Sequence, residues 1–204
     1  MDEMGVLPKY GGILCHDHWK PYYNYDCTHC LCNSHHLREL EYAYEHDSQK
    51  WAKLMQNLLI KMNEAVKKSN GKLSEIENKR YQKRYRSILT KGEKECPLPE
   101  KVKGKRGRTK KSKSRNLLDR LRNYESDALL FMKIQIVPFT NNQAENDIRM
   151  TKVQQKISGC FRSMEGAKIF CRVRGYLSSA RKNSASSFQA LNMLFKGKLP
   201  EFAE

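Results

Sequence analysis

One short apolar run constrains the fold of this chain more than any other feature. Residues 12–15 follow Gly11, and the acid Asp17 and then Pro21 come soon after them. An apolar run of this length, placed between glycines and a proline, predicts a short buried β-strand. No second stretch is a convincing strand. Because a strand needs neighbours for its backbone donors and acceptors, a domain with one strand is incomplete by itself.

The rest of the pattern is helical. Apolar residues at helical spacing predict seven helices, which cover residues 30–46, 49–68, 74–89, 115–132, 141–157, 164–182 and 184–196. Asn33 or Ser34 is a plausible N-cap for the first of them. Residues 91–100 contain two prolines and predict a loop.

The overall charge favours a polyanionic partner. The 204 residues are enough for one domain, or for one domain with an insertion, and the formal net charge is +17. Such an excess is most often found in proteins that bind nucleic acid. The acidic start of the chain is not a secretory signal, and no apolar stretch approaches the length of a membrane span. The seven cysteines are therefore expected to be reduced thiols in a cytoplasmic protein.

A dense cationic segment occupies residues 101–115. It has no apolar face to bury, so we expect it to be flexible. It is either a solvated linker or a loop that contacts phosphates, and we favour the second because counterion release strengthens such contacts. The candidate DNA-binding residues in it are Lys105, Arg106, Arg108, Lys110, Lys111 and Lys113.

Asp17 is the first candidate for chemistry. A carboxylate at the end of a buried strand is poorly solvated, so it is expected to have a cation, a hydrogen-bond donor or a metal ion as its partner. The alternative is an ordinary acid in the turn after the strand. The sequence around the strand fits both.

Glu145 is the second candidate, in the first turns of the helix predicted over 141–157. Arg149, Lys152 and Lys156 follow it at offsets of four, seven and eleven and share its helical face. One carboxylate followed by three cations suits a metal ion beside a phosphate backbone, but a capping acid with ordinary ion pairs has the same spacing. The opposite side offers residues such as Ile157 to a core.

Residues 26–36 bring cysteines and histidines together, namely Cys27, His29, Cys30, Cys32, His35 and His36. This composition suggests zinc, but a second ligand pair at the usual distance is missing and Cys30 and Cys32 would share a very tight loop. We therefore expect no structural zinc here.

Several motifs together resemble the transposases of the insertion-sequence-sixty-six family of bacterial mobile elements. The motifs are HDHWKPY (16–22), LCNSHHLRELE (31–41), PFTNNQAENDIRMTKVQQKISGCFRS (138–163) and YLSSARK (176–182). The segment that contains Asn-Asn-x-Ala-Glu and the later Ile-Ser-Gly-x-Phe-Arg-Ser is the most specific, and the similarity extends over nearly the whole chain.

The resemblance implies an α/β fold of the ribonuclease H-like type, in which an Asp-Asp-Glu triad holds two Mg²⁺ ions. Asp17 matches the second acid of the triad and Glu145 the third, both as catalytic residues and as metal ligands. The active site would be supported by His36, Arg38, Asn142 and Arg149. DNA would be contacted by Lys152, Lys156 and Arg162. Further candidates for phosphate contacts are Arg172 and Arg174. The implied organisation is a partial core over 1–46, a helical insertion over 47–135 that includes the basic loop, a return to the core over 136–182, and a C-terminal helix and tail over 183–204.

The first acid of the triad has no match. In the family it lies on the first strand, ahead of two more strands and a helix, whereas Asp2 is only fifteen residues before Asp17. The resemblance therefore predicts an N-terminally truncated catalytic domain that does not act on DNA alone. The alternative is a non-catalytic, basic DNA-binding remnant or inhibitor. Expected partners are transposon-end and target DNA and a further copy of the chain or an intact transposase, in the bacterial cytoplasm at the nucleoid.

Overall fold

A computed structural model describes residue 2, residues 5–99 and residues 109–198. In these ranges the protein is mostly helical, with α1 at Asn33–Glu45, α2 at Lys50–Lys68, α3 at Glu75–Glu95, α4 at Lys113–Asn123, α5 at Glu125–Ala128, α6 at Asn142–Ser158, α7 at Met164–Lys182 and α8 at Ser187–Phe195. Short 3-10 helices cover Leu7–Lys9, Lys20–Asn24 and Leu130–Met132. The chain divides into two compact units, Met1–Asn141 and Asn142–Glu204. None of the described helices has the length and apolar character required to cross a membrane.

A two-stranded parallel sheet lies in the first unit. The predicted strand is β1, Ile13–His16, and it pairs with β2, Thr28–Leu31, in a register that places Cys15 opposite Cys30. The expectation of a single strand was therefore wrong. β2 has no apolar alternation in its sequence, and its pairing with β1 is a tertiary interaction that local pattern does not encode.

The core of the first unit forms around α2. The apolar spacing of this helix predicts one stripe that includes Trp51, Leu54, Leu58 and Met62. Trp51, Leu58 and Met62 are buried as predicted, whereas Leu54 is 46% exposed. Side chains from α1, α3, α4 and the 3-10 helix Leu130–Met132 complete the core.

Helix α3 extends beyond its predicted end and includes residues 91–95, which were wrongly predicted to be loop. Two tertiary contacts hold the extra turn. Gly92 packs against Trp51 and Leu118, and the Glu95 carboxylate accepts hydrogen bonds from the backbone N–H groups of Lys50 (2.6 Å) and Trp51 (2.8 Å) at the start of α2.

The helix predicted over 115–132 is interrupted. It begins earlier, at Lys113, because the Ser112 hydroxyl accepts a hydrogen bond from the Arg115 N–H (3.0 Å). It breaks at Tyr124, whose φ of −117° and ψ of 35° lie outside the helical region, and continues as α5. The expectation that residues 101–115 are flexible was therefore wrong for residues 113–115, which are helical, and Arg115 is buried.

The second unit consists of α6, α7 and α8. Ser163 caps α7, and a capping box formed by Ser186 and Gln189 begins α8. Among the described residues of this unit, only Ala180 and Ala190 are buried. The expectation that α6 offers apolar residues to a core was wrong, since Ile157 is 79% exposed.

Candidate functional site

Asp17 lies in a tight turn directly after β1. Its Oδ1 accepts a hydrogen bond from the Trp19 N–H at 3.1 Å, and His18 between them has a φ of +73°, in the left-handed region. The Asp17 side chain is exposed, and β1 is half-buried except at His16. The expectation of a poorly solvated carboxylate was therefore wrong, because in the described part of the chain β1 pairs with one strand, β2.

His16 is the buried support of this turn. Its Nδ1 accepts a hydrogen bond from the His18 N–H (3.2 Å), so a neutral ring carries its proton on Nε2. Nε2 in turn donates to Nδ1 of His29 on β2, also at 3.2 Å. Burial, followed by the charge of His29, lowers the pKa of His16 to about 4, so the ring is neutral at pH 7.

Aromatic rings surround His16 and His18. Tyr23 packs edge-on against both histidines, and Tyr124 packs against His18 with ring centroids 4.3 Å apart. The Tyr23 hydroxyl donates to Asp127 Oδ2 (3.2 Å), which connects the turn to α5. The sequence motifs assign no role to these residues, although His and Tyr are dense over residues 16–25.

His36 is buried in α1. Its Nδ1 donates to Asn33 Oδ1 (3.0 Å), and the Asn33 amide donates to the Ala128 carbonyl oxygen (3.0 Å). Burial, with a smaller effect of the Arg120 charge, lowers the pKa of His36 to about 3. Asn33 therefore does not cap α1 as predicted; its side chain joins α1 to α5, and the neutral His36 fixes its orientation.

The remaining cysteines and histidines of residues 26–36 do not all lie together. Cys30 lies beside Cys15 across the sheet, and His29 lies beside His16. The Cys32 thiol accepts a hydrogen bond from the Asn141 N–H (3.1 Å) and lies 3.0 Å from the Ser34 hydroxyl. Pairing with β1 therefore gives His29 and Cys30 different neighbours, whereas the Cys32 thiol and a His35 ring nitrogen lie within 4.8 Å of each other.

The cationic candidates of the first unit are not equivalent. Lys105, Arg106 and Arg108 lie outside the described residues. Lys111 forms an ion pair with Asp119 (2.5 Å), whereas Lys113 lies over the exposed ring of Tyr42, 5.0 Å from its centroid. Lys110 and Arg38 are exposed.

Glu145 is in the second unit, in the first turn of α6, and is half-buried. Arg149, Lys152 and Lys156 lie on the same continuous helix and are all exposed, so their shared face is open to a ligand. Asn142, the first residue of α6, and Arg162, between α6 and α7, are exposed as well. The two candidate acids thus belong to different units, Asp17 to the first and Glu145 to the second.

Comparison with known proteins gives one family. The family model described as "Transposase IS66 family" matches residues 3–169, which includes both candidate acids. No curated protein and no solved structure matches the chain.

Proposed function

Because the chain belongs to the IS66 family of transposases, and thus has a role in transposition, we propose that Asp17 and Glu145 are two carboxylates of a divalent-metal site that acts on DNA phosphodiesters. The proposed architecture around them is a ribonuclease H-like core with a helical insertion. The observation that carries the proposal is the position of Asp17. It follows a strand of a parallel sheet, its carboxylate is exposed, and it lies within the matched residues.

The donor chemistry of Asp17 fits a metal ion. The Trp19 N–H holds one carboxylate oxygen, and no described donor binds the other. A carboxylate that is fixed through one oxygen and open at the second is a good monodentate ligand for Mg²⁺, which prefers oxygen ligands and retains several waters. Glu145 supplies a second carboxylate, from the first turn of α6.

Bound metal ions in such a site activate a water or a 3′ hydroxyl and stabilise the leaving oxygen during in-line attack on phosphorus. The residues of this chain supply the surroundings. His16 and His18 fix the turn of Asp17, and His36 and Asn33 hold α1 against α5. Arg38, Arg149 and Asn142 support the site. Further cations attract the DNA backbone, namely Lys110, Lys113, Lys152, Lys156 and Arg162.

We propose that the chain binds DNA but does not cut it alone. The family motifs assign two of the three triad acids to this chain, and a two-metal site depends on all three for charge and geometry. An intact transposase would supply the third. We expect no structural zinc, since residues 26–36 offer no second ligand pair at the usual spacing and the buried His36 already donates to Asn33.

Metal binding tests the assignment of the two acids. We expect Mn²⁺ binding, followed by electron paramagnetic resonance, to weaken at least tenfold in both Asp17→Asn and Glu145→Gln. Matched controls are Asp26→Asn and Glu165→Gln, which remove exposed acids from the same two units. Equal Mn²⁺ affinity in the parent and in both site variants would show that these acids are not ligands.

A nuclease assay tests the activity. The 204-residue chain is incubated with duplex DNA and with Mg²⁺ or Mn²⁺, and cleavage and strand transfer are measured. We expect a complex with DNA and no turnover. Turnover that Asp17→Ala abolishes would contradict the proposal that the chain is inactive alone, and it would support the metal site itself.

A further inference from the structure

A second polar site lies entirely within the second unit. α6, α7 and the start of α8 line a cleft of about 260 Å³. Its charged and polar lining includes Asn146, Asp147, Arg174, Arg181, Lys182 and Ser187. The motif YLSSARK contributes Arg181 and Lys182 to this cleft, and Arg174, already a candidate for phosphate contacts, lines it as well.

The cations of the cleft share one face of α7. Arg174, Ser178 and Arg181 are separated by four and three residues, which places them in one row along the helix. Arg172, two residues before Arg174, is exposed and does not line the cleft. The sequence made both arginines candidates for phosphate contacts, but only Arg174 lines the cleft.

The single acid of the lining is already engaged. Asp147 Oδ2 accepts from Lys182 Nζ at 2.5 Å, and its Oδ1 accepts from the Ser178 hydroxyl at 2.9 Å. Lys182 and then Ser178 hold the pKa of Asp147 below its usual range, so it stays charged. Because Lys182 and Asp147 compensate each other, the guanidinium groups of Arg174 and Arg181 leave the cleft with a net positive charge.

Arg174 also has an unused donor. Its Nε is buried, and no acceptor among the described residues lies within hydrogen-bond distance. A buried N–H on a charged group without a partner costs free energy, so an oxyanion that reaches this guanidinium group from the cleft would be favoured. Guanidinium groups bind phosphate oxygens in pairs, which makes phosphate the ligand that the chemistry favours.

We propose that this cleft binds a phosphodiester group of the DNA backbone, through Arg174 and Arg181. The inference rests on the proposed function, since it assumes that the chain binds DNA. The lining contains no aromatic side chain on which a base could stack. The contact is therefore with the backbone and does not depend on the base sequence.

The test measures binding of the full chain to a fluorescent 30-base-pair duplex of random sequence, without divalent ions, over a range of salt concentrations. We expect Arg174→Gln combined with Arg181→Gln to weaken binding at least tenfold. We also expect the slope of log affinity against log salt to decrease in magnitude by about 1 to 2, as for the loss of one or two phosphate contacts. The matched control, Lys168→Gln combined with Lys196→Gln, removes two exposed charges from the same unit and should change the slope by less than about 0.5.

Arg181→Gln alone provides a second variant, because Arg181 is exposed and its replacement does not disturb a buried group. We expect it to weaken binding at least threefold with an unchanged circular dichroism spectrum. If the parent binds DNA and both cleft variants bind with the parental affinity and slope, the cleft proposal is wrong and the proposed function stands. If the parent does not bind DNA even at low salt, the proposed function fails as well.

Discussion

Gly92 of α3 lies against the indole ring of Trp51 of α2, so closely that a Cβ built on Gly92 would be 2.9 Å from Trp51 Cγ. The same Cβ would be 2.8 Å from Leu118 Cδ1 of α4. Real Cβ atoms do not approach neighbours this closely. The contact between α2, α3 and α4 therefore depends on a glycine, although glycine is a poor helix former.

Gly92→Ala should destabilise the first unit. Overpacking of this kind costs about 1–3 kcal/mol, and the better helix propensity of alanine returns about 1 kcal/mol of it. Urea unfolding followed by tryptophan fluorescence reports on this unit, because both tryptophans, Trp19 and Trp51, belong to it. Gly11→Ala, in the same unit, is the control, since nothing lies within 4 Å of a Cβ there and its φ is not in the left-handed region. An unchanged urea midpoint for Gly92→Ala would mean that α3 can move away from Trp51 at no cost.

Glu95→Ala should weaken the start of α2. The substitution leaves the backbone N–H groups of Lys50 and Trp51 without their acceptor, and loss of a helix cap costs about 1–2 kcal/mol. Glu93→Ala is the control, because Glu93 forms only a partly exposed ion pair with Arg122, which we expect to contribute about 0.5 kcal/mol. The free energy of unfolding in urea measures both. Equal losses for the two variants would show that Glu95 does not cap α2.

The first unit should lose stability in mild acid. The pKa values of His16 (about 4) and His36 (about 3) are lower in the folded protein than the ordinary value of 6.5, so the unfolded chain binds protons more readily. The two neutral rings make their full contribution to the free energy of unfolding above about pH 6.5. This contribution decreases as the pH falls towards 4, by up to about 1.4 kcal/mol per pH unit for each histidine.

His36→Gln should reduce this slope by about half, because one of the two rings no longer takes up a proton on unfolding. The exposed His46, replaced by Gln, should leave the slope unchanged. Urea unfolding at several pH values between 7 and 4.5 measures the slope. A free energy of unfolding that is constant over this range would contradict the burial of neutral rings.

Asp17→Asn should not change stability by more than about 0.5 kcal/mol, the usual range for exposed positions. An asparagine retains the oxygen that accepts the Trp19 N–H, so the turn is kept. Thermal unfolding without metal ions measures this. A large loss would mean that the charge of Asp17 has a structural role, and any loss of metal binding in this variant would then need another explanation.

The sequence predicted those elements whose formation is local. α2, α6 and α7 were placed within one or two residues, because the spacing of apolar side chains, the caps and the following glycine or loop residues all act within one helix. β1 was predicted from its apolar run and from Pro21, which lies in the 3-10 helix Lys20–Asn24.

The errors have tertiary causes. β2 forms because β1 offers it a hydrogen-bonding edge, and the last turn of α3 persists because Trp51 and the start of α2 bind it. Of the candidate site, the motifs identified Asp17 and Glu145. They did not identify the histidine pair His16 and His29 under the turn, whose contact exists only once the two strands pair.

The small number of buried side chains in the second unit bears on how its backbone exchanges with solvent. Ala180 and Ala190 bury little apolar area, so α6–α8 have little packing to oppose local opening. Their amide hydrogens should exchange with deuterium through local fluctuations, within minutes, while those of α2 and α3, around Trp51 and Tyr85, exchange only when the whole first unit unfolds. Binding of DNA to α6 and α7 would then appear first as protection of these amides.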